Sequence, residues 1–270
     1  MYRTILIPVQ KPAEVEPMIR FASMLLEADG EIRVLHVIPT ITLPEVTREW
    51  RASVHLVVPA HEAGASLDVK VEPEVRAATD VPGEILESAE AHGADAIFLT
   101  LRGDKRSRNP FVGHTATGIL QHARSHVLVL NRLALATEQI PRILLPTLGE
   151  NPSPSATRVA EEIAVHVPGT RVIALTLGTG PERPEPEGEG PDGRGPRGTP
   201  ISRRRTIFPP SLLGRRHRLP ELILGAAARE RFGLLVVGGE PDQSGGPLIT
   251  RRFLEELFRA APCPVLAVRA

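Results

Sequence analysis

The residues best suited to chemistry follow the apolar run Ala96–Leu99 in the segment TLRGDKRSRNPFVGHTATGILQHA. Nine residues separate Gly103 from Gly113. His114 and Thr115 come next, at the start of a predicted helix. A glycine lets the backbone approach a phosphate, and a helix N-terminus offers N–H donors and partial positive charge. The pattern therefore indicates a phosphate-binding loop; the alternative is that both glycines serve only the turn and the helix start.

Other reactive residues are less well placed. His122 and His126 are four positions apart, but the internal repeat puts His126 at the entrance of a strand, so the two imidazoles do not share a helical face. The glycines of Ser244–Leu248 follow a fourth strand, whereas phosphate loops of similar sequence follow the first strand of a domain. Cys263 has no His or Asp at a spacing typical of a nucleophile. The sequence therefore predicts neither a metal site nor an enzyme.

Composition and charge exclude several classes of function. The 270 residues carry 32 Lys and Arg against 32 Asp and Glu, so no global charge attracts nucleic acid or an anionic membrane. One cysteine excludes a disulfide framework. No apolar run approaches the roughly 18 residues needed to cross a bilayer, and the first residues lack a secretory pattern. A cytoplasmic location is therefore expected, with neither a membrane nor nucleic acid as partner.

An internal repeat divides the chain. TILIPVQ from Thr4 matches RILLPTL from Arg142, and IRVLHVI from Ile32 matches TRVIALT from Thr170, both at an offset of 138 residues. EILESAEAHGADAIFLT and LILGAAARERFGLLVVG keep that offset, as do ARSHVLVLNR and APCPVLAVRA. We therefore interpret the chain as a duplication, with domains at residues 1–138 and 139–270.

Each repeat alternates short runs of Ile, Val and Leu with stretches of helical period. Continuously apolar runs are typical of strands that crossover helices bury on both faces. The predicted fold class is therefore α/β, with two tandem five-stranded parallel-sheet domains. In the first repeat we expect strands at Thr4–Val9, Glu31–Val37, Asp68–Arg76, Ala96–Leu99 and Val127–Leu130, and helices at Val15–Ala28, Val46–Ala63, Pro82–His92 and Thr115–Ala123.

The second repeat is expected to be degenerate. Residues 178–220 are dense in Gly, Pro and mixed charge and resemble an insertion, so they are expected to lack a packed helix and to hold at most a short strand at Thr206–Phe208. The basic runs Arg203–Arg205 and Arg215–Arg218 lie within it, downstream of an acidic stretch. Such mixed charge is typical of a solvated tether, and docking of nucleic acid or a partner is the alternative.

The chain resembles the universal stress protein family along nearly its whole length, as a tandem two-domain member. The resemblance rests on ILIPV, VLHVI, PGEILESAEAHGADAIFL, the spacing of Gly103 and Gly113, and the ending PCPVLAV. It implies a five-stranded parallel sheet of the adenine-nucleotide α-hydrolase-like type and dimerisation. In one subgroup it also implies ATP held by a glycine-rich loop, with an acidic residue after the first strand near the adenine.

The family's loop is carried over residue by residue. Gly103 and Gly113 are kept, and Thr100 stands at the position of the family's first glycine. His114 stands where the family has Ser or Thr, and Thr115 offers a hydroxyl one residue later. The resemblance therefore implies that the phosphates of ATP lie against this loop and the helix start that follows it.

The resemblance also implies that the adenine lies between the ends of the first two strands. The residues there are Pro8, Val9, Gln10 and Val37. Gln10 takes the position of the family's acidic residue and offers hydrogen bonds but no charge. The second repeat keeps only Gly238 of the loop, so ATP is expected in the first domain alone.

These observations predict a regulatory protein of the universal stress type that acts by binding, with ATP or a related nucleotide in its first domain. A ligand-free scaffold for dimerisation and partner contact is the first alternative, and a nucleotide hydrolase or transferase is the second. Val127–Leu130 and Val265–Val268 are short apolar edge strands, which are costly to leave open. We therefore expect the repeats to pair through them as a pseudo-dimer, and a homodimer is a further expected assembly.

Overall fold

The computed structural model describes residues 1–39, 53–101, 114–131, 140–148, 153–178, 201–207, 219–238 and 251–269. These residues form two compact units. The first contains the described residues up to 131, and the second contains those from 140 onward. The predicted boundary between residues 138 and 139 lies outside the described residues.

The first unit alternates strands and helices. Its strands are β1 (Tyr2–Pro8), β2 (Leu26–Pro39), β3 (Lys70–Ala78), β4 (Ala96–Thr100) and β5 (His126–Leu130). Its described helices are α1 (Pro12–Ser23), α2 (Val54–Leu67), α3 (Val81–Ala91) and α4 (His114–His122).

The strands of the first unit form a parallel sheet in the order β3-β2-β1-β4-β5. Ile5 of β1 pairs with Ile32 of β2 on one side and with Ala96 of β4 on the other. All three side chains are fully buried, as expected for strands covered on both faces. Helices α1 and α2 pack together, and α3 packs on α4. Right-handed crossovers put these two pairs on opposite faces of the sheet.

The boundary between α1 and β2 differs from the prediction. The expected helix Val15–Ala28 was placed too far along the chain, since α1 begins at Pro12 and ends at Ser23. Strand β2 begins at Leu26 because Leu26 already pairs with Tyr2 of β1. Gly30 allows this early pairing, since a Cβ there would meet the Arg3 carbonyl oxygen at 2.9 Å. The predicted strands Ala96–Leu99 and Val127–Leu130 and the predicted helix Thr115–Ala123 are confirmed to within one residue.

The described part of the second predicted helix also runs further than expected. Helix α2 continues to Leu67, beyond the predicted end at Ala63, and Asp68 closes it in the left-handed conformation at φ 54°. The first part of the prediction, residues 46–52, lies outside the described residues.

The second unit repeats this topology. Its strands are β6 (Arg142–Leu148), β7 (Arg171–Gly178), β8 (Ile201–Ile207), β9 (Leu234–Gly238) and β10 (Val265–Arg269), with described helices α5 (Pro154–His166), α6 (Leu219–Arg229) and α7 (Arg251–Ala260). The order β10-β9-β6-β7-β8 is parallel and matches that of the first unit strand for strand. The predicted fold class, α/β with two five-stranded parallel sheets, is confirmed.

The third strand of the second unit is longer than predicted. In place of a short strand at Thr206–Phe208, β8 runs over seven residues and pairs with β7 from Val172 with Ile201 to Gly178 with Ile207. The expectation that little of this strand survives was wrong, because backbone pairing along β7 does not depend on an apolar side-chain pattern. Residues 179–200 and 208–218, where the Gly- and Pro-rich prediction also falls, lie outside the described residues. Of the helices in the described part of the chain, none has the length and apolar character needed to span a membrane.

Candidate functional site

The first unit has a topological switch point between the parallel strands β1 and β4, where the order in which strands are added to the sheet reverses. These strands are neighbours, yet β1 leads through α1 to β2 on one side of the sheet and β4 leads through α4 to β5 on the other. In open parallel sheets such a point leaves a crevice at the carboxyl ends of the strands, where ligands bind. Pro8 ends β1 and Thr100 ends β4, so two of the predicted site residues lie at this edge.

The chain leaves β1 through a firmly held residue, Val9. Its N–H donates to the Leu35 carbonyl oxygen at 2.9 Å. Its own carbonyl oxygen accepts from Nδ1 of His36, on the same strand β2, at 3.0 Å. Val9 is 3% exposed. Both backbone groups of Val9 are therefore used inside the protein, and the exit of β1 is rigid.

A carboxylate lies at the N-terminus of α1. Oε2 of Glu14 accepts from the backbone N–H of Gln10 at 3.3 Å and from that of Lys11 at 3.2 Å. Lys11 is the N-cap, and Pro12, the first helical residue, has no N–H to offer. Acidic side chains are favoured at this position because they satisfy orphan donors and complement the helix dipole. The turn after β1 therefore carries a negative charge that Gln10 does not supply.

The end of β4 is held by the neighbouring strand and by α1. The hydroxyl of Thr100 lies 3.9 Å from Sδ of Met18, a residue of α1. The N–H of Leu101 donates to the Leu130 carbonyl oxygen at 2.8 Å, which extends the pairing of β4 with β5 past the end of the strand. Thr100 is half-buried at the end of β4.

The helix predicted to receive phosphates begins where the sequence indicates. Helix α4 starts at His114, and Thr115 lies in its first turn with a partly exposed side chain. Gly118 lets this helix approach the start of α3, since a Cβ there would lie 3.0 Å from Cβ of Pro82. Gly103 and Gly113 lie outside the described residues. The predicted phosphate site is therefore described at its helical end.

Val37 is, like Val9, a buried member of the predicted adenine residues. It is 7% exposed, and in the sheet it pairs with Arg76 of β3. The Arg76 guanidinium donates to Glu84 of α3 at 2.8 Å and to Glu74 at 2.6 Å. These two hydrogen bonds raise the pKa of Arg76 above its ordinary value. Arg76 is therefore engaged in joining β3 to α3.

Two residues at this edge were missed by sequence reasoning. Glu14 stands two residues after the helix-starting Pro12, and an acidic residue in a first turn is a recognisable signal. His36 gives no such signal, because its contact with Val9 depends on the pairing of β1 with β2. Predicted residues Pro8, Val9, Gln10 and Thr100 lie where the two strands end, with Glu14 and His36 beside them.

At the corresponding edge of the second unit, the N-cap residue of α5, Ser153, packs against the end of β9. Gly238 ends β9, and a Cβ at this position would collide with the Ser153 hydroxyl. The same hydroxyl accepts from the Ala156 N–H at 3.2 Å and so caps α5. Among the residues that the structure describes, no group of three or more His, Cys, Asp and Glu side chains is placed to hold a metal ion.

Comparison with known proteins adds four findings. The model of the universal stress protein family matches residues 1–131. Universal stress protein G of Escherichia coli O157:H7 is 30% identical over an alignment of 146 residues that covers 48% of this chain and 99% of that protein. A universal stress protein from Archaeoglobus fulgidus DSM 4304 has a similar structure, with a TM-score of 0.66 at 15% identity over 98% of this chain and 97% of that one. The cytoplasmic domain of a prokaryotic cation chloride cotransporter gives a TM-score of 0.61 at 12% identity over 99% and 95%. At such identities the two structures show the fold alone.

Proposed function

The chain belongs to the universal stress protein family, and from this premise we propose that it is a regulatory protein that binds an adenine nucleotide such as ATP in its first unit. The topological switch point between β1 and β4 supports this proposal, together with α4, which begins at His114 in the connection that follows β4. Nucleotides bind at such switch points because loops and helix N-termini converge there. The protein acts by binding, and its response passes to a partner.

The hydrogen bonds of the crevice support an orientation for the nucleotide. At the β1 side, the backbone N–H groups of Val9, Gln10 and Lys11 already have acceptors within the chain. Phosphates need several N–H donors at once, so they go to the start of α4, where Thr115 adds a hydroxyl. The adenosine then lies over the ends of β1 and β2, near Pro8 and Gln10.

Binding without turnover is favoured because the described acidic and imidazole side chains at this edge hold the backbone through hydrogen bonds. The Glu14 carboxylate holds two backbone amides, and the His36 imidazole holds the Val9 carbonyl through Nδ1. Among the residues that the structure describes at this edge, the Glu14 and His36 side chains could serve as general base or acid, and both are engaged in fixing the backbone. A hydrolase needs such a group aimed at an attacking water.

The expected affinity is modest. If a complete site of this kind binds ATP at about 1 μM, then losing two contacts worth ~1–3 kcal/mol each brings the dissociation constant towards the millimolar range. The contacts in question are those of the family's first glycine, replaced by Thr100, and of its acidic residue, replaced by Gln10. A site of this strength is still filled when the nucleotide itself is present at millimolar concentration.

Calorimetry of the full chain with ATP tests the proposal. Gly113→Val should abolish the heat of binding by blocking backbone approach at the start of α4, and Thr115→Val should weaken it several-fold through loss of one donor. Gly225→Val is the matched control, since a Cβ at this position of α6 meets nothing within 4 Å. No heat from the unaltered protein at millimolar ATP would leave the ligand-free scaffold as the function. Steady phosphate release would instead favour the hydrolase.

The remaining expectations stay predictions of the sequence. They are a cytoplasmic location, a homodimer, and the pairing of the two repeats through their last strands. The role of the second unit as a nucleotide-free domain belongs to the same proposal, and the packing of Ser153 on Gly238 supports it.

A further inference from the structure

Among the strands that the structure describes in the second unit, β8 lies at one edge of the sheet. It ends the strand order and pairs with β7 over all seven of its residues, from Ile201 opposite Val172 to Ile207 opposite Gly178. Alternate residues of an edge strand direct their N–H and C=O groups away from the sheet, where another chain can pair with them. Strand β8 therefore offers a template for one further strand.

The centre of β8 carries three consecutive arginines, Arg203, Arg204 and Arg205, which we call the arginine edge. In the register of the sheet they lie opposite residues Ala174–Thr176 of β7, which are uncharged. Neither β7 nor β8 contains an acidic residue. The two strands therefore hold no counter-charge for the arginine edge.

The excess positive charge of the second repeat is concentrated in this part of the sequence. Residues 139–270 hold 18 arginines and no lysine against 14 Asp and Glu, an excess of four. Residues 179–218 alone hold nine of these arginines against five of the acidic residues, which is the same excess of four. The acidic stretch upstream of β8 is therefore too small in number to neutralise the arginines of this region.

The corresponding edge strand of the first unit, β3, has a different composition. It contains Pro73, and a proline has no N–H to give to an added strand. Its two cations have acidic partners within the unit, since Lys70 pairs with Glu31 at 2.6 Å and Arg76 pairs with Glu84 at 2.8 Å. Strand β3 is thus guarded against pairing and balanced in charge, whereas the sequence of β8 has neither a proline nor an acidic residue.

We propose that β8 binds an extended acidic segment of a partner protein, which adds to the sheet as a further strand and sets its carboxylates opposite the arginine edge. Backbone pairing supplies part of the affinity. The arginines select the partner, because opposite charges stabilise a strand pair and like charges destabilise it. For the same reason two copies of β8 repel each other, so a second copy of this strand is not the partner. The proposal is independent of nucleotide binding.

The spacing along β8 defines the partner sequence. A β-strand rises about 3.3 Å per residue, so Arg203 and Arg205 are about 6.6 Å apart on one face of the sheet, with Arg204 on the other face. Three consecutive acidic residues in an added strand match this arrangement on both faces. Nucleic acid is the less suitable partner, because it has no backbone amides to pair with the strand and β8 has no aromatic residue on which bases stack.

Fluorescence anisotropy with labelled peptides and the full chain tests the proposal. The probe is a short peptide with three consecutive glutamates between Val- and Thr-rich ends, and the matched peptide has three glutamines instead. The glutamate peptide should bind about tenfold more tightly, and added salt should reduce the difference by screening the charges. Equal binding of the two peptides, or binding of neither, would overturn the proposal.

Variants of the protein locate the binding. Replacing all three residues of the arginine edge by glutamine should weaken binding of the glutamate peptide by about tenfold. The control carries Arg158→Gln, Arg229→Gln and Arg231→Gln, which remove three exposed arginines from the same unit, and it should bind like the unaltered protein. Equal weakening in both would show that only total charge matters, and the proposal would be wrong. If the edge variant fails to fold, Arg204→Gln alone should weaken binding about two- to fivefold.

Methylation of the peptide backbone separates strand addition from simple attraction of charge. An added strand pairs with an edge through alternate residues, so two glutamate peptides are compared, N-methylated at the odd or at the even positions. One should bind like the parent peptide and the other about tenfold more weakly. Equal affinities of the two would refute strand addition. An oligothymidylate that binds more tightly than the glutamate peptide and displaces it would identify a nucleic-acid site and overturn the choice of partner.

Discussion

Gly64 and Gly225 form a pair of helical glycines that separates helix propensity from packing. Gly64 lies in α2, where a Cβ would meet Cγ2 of Val71 at 2.7 Å and the carbonyl oxygen of Val69 at 2.9 Å. Gly225 lies in α6, where a Cβ would meet nothing within 4 Å. Replacing either glycine by alanine therefore raises the helix propensity by the same amount. Only at Gly64 does the new methyl group also clash with its neighbours.

The gain in helix propensity and the cost of overpacking change the free energy of unfolding in opposite directions, and the typical size of each is known. Alanine inside a helix is favoured over glycine by about 0.5–1 kcal/mol, because glycine loses more backbone entropy on folding. At Gly64 the new methyl group also collides with the backbone of the turn into β3, and overpacking of this kind typically costs about 1–3 kcal/mol. We therefore expect Gly64→Ala to lower the free energy of unfolding by ~1 kcal/mol. Gly225→Ala should raise it by about 0.5–1 kcal/mol.

Urea unfolding of the full chain, followed by far-UV circular dichroism, measures both changes. Because the protein has two units, a single transition is not guaranteed, and amide hydrogen exchange assigns each change to its own unit. The exchange of the amides of α2 and β3 should speed up in Gly64→Ala alone. Stabilisation of the same size in both variants would mean that β3 yields to the new methyl group without cost, and the packing argument would fail.

Three further changes test other contacts. A hydrogen bond from Lys70 lowers the pKa of the Glu31 carboxyl. The stability that this ion pair gives the fold is therefore present above the ordinary pKa of a glutamate and is lost as the pH falls through the lowered pKa. The difference in urea midpoint between the unaltered protein and Glu31→Gln should be present at pH 7 and should disappear below about pH 4. Gly238→Ala should destabilise the second unit by about 1–3 kcal/mol by pushing on the Ser153 hydroxyl, and adding Ser153→Gly should restore most of the loss in thermal unfolding. Phe98→Ala removes a fully buried ring stacked on another phenylalanine at 5.2 Å and should cost about 3–5 kcal/mol by urea titration; a loss under about 1 kcal/mol would contradict the packing of the first core.

The strand assignments show how far local sequence information reaches. Runs such as ILIPV and AIFL predict buried parallel strands, and β1 and β4 follow them closely. The start of β2 could not be read in this way, because Leu26 belongs to the strand only through its pairing with Tyr2. Strand β8 was underestimated for the same reason, since β7 pairs with its backbone whatever its side chains are. Local sequence pattern therefore predicts strands that are buried and consequently made of apolar residues. It misses strand residues that belong to the sheet only through backbone pairing.

The candidate site also has a part that the sequence predicts and a part that only the structure shows. Its predicted residues beyond the end of β4 follow from the rule that ligands bind beyond the carboxyl ends of parallel strands, and those at the end of β1 are what the family resemblance implies. The start of α4 at His114 follows from its own sequence. The contacts on which the proposed orientation of the nucleotide rests could not be predicted in this way. The Val9 carbonyl and the His36 imidazole are 27 residues apart and meet only through the pairing of β1 with β2.

The sequence by itself therefore predicted the fold class, the repeat and the edge of the sheet where the candidate site is proposed, because apolar periodicity and internal similarity are carried by neighbouring residues. Only the tertiary structure decided that the amides after β1 are occupied by Glu14, that Arg76 is engaged with Glu84, and that Ser153 fills the end of β9. Each of these depends on the direction of a side chain relative to a backbone group brought near by folding. Hydrogen bonds are short and directional, so their partners are set by three-dimensional position, whereas burial needs only the right kind of residue at the right period.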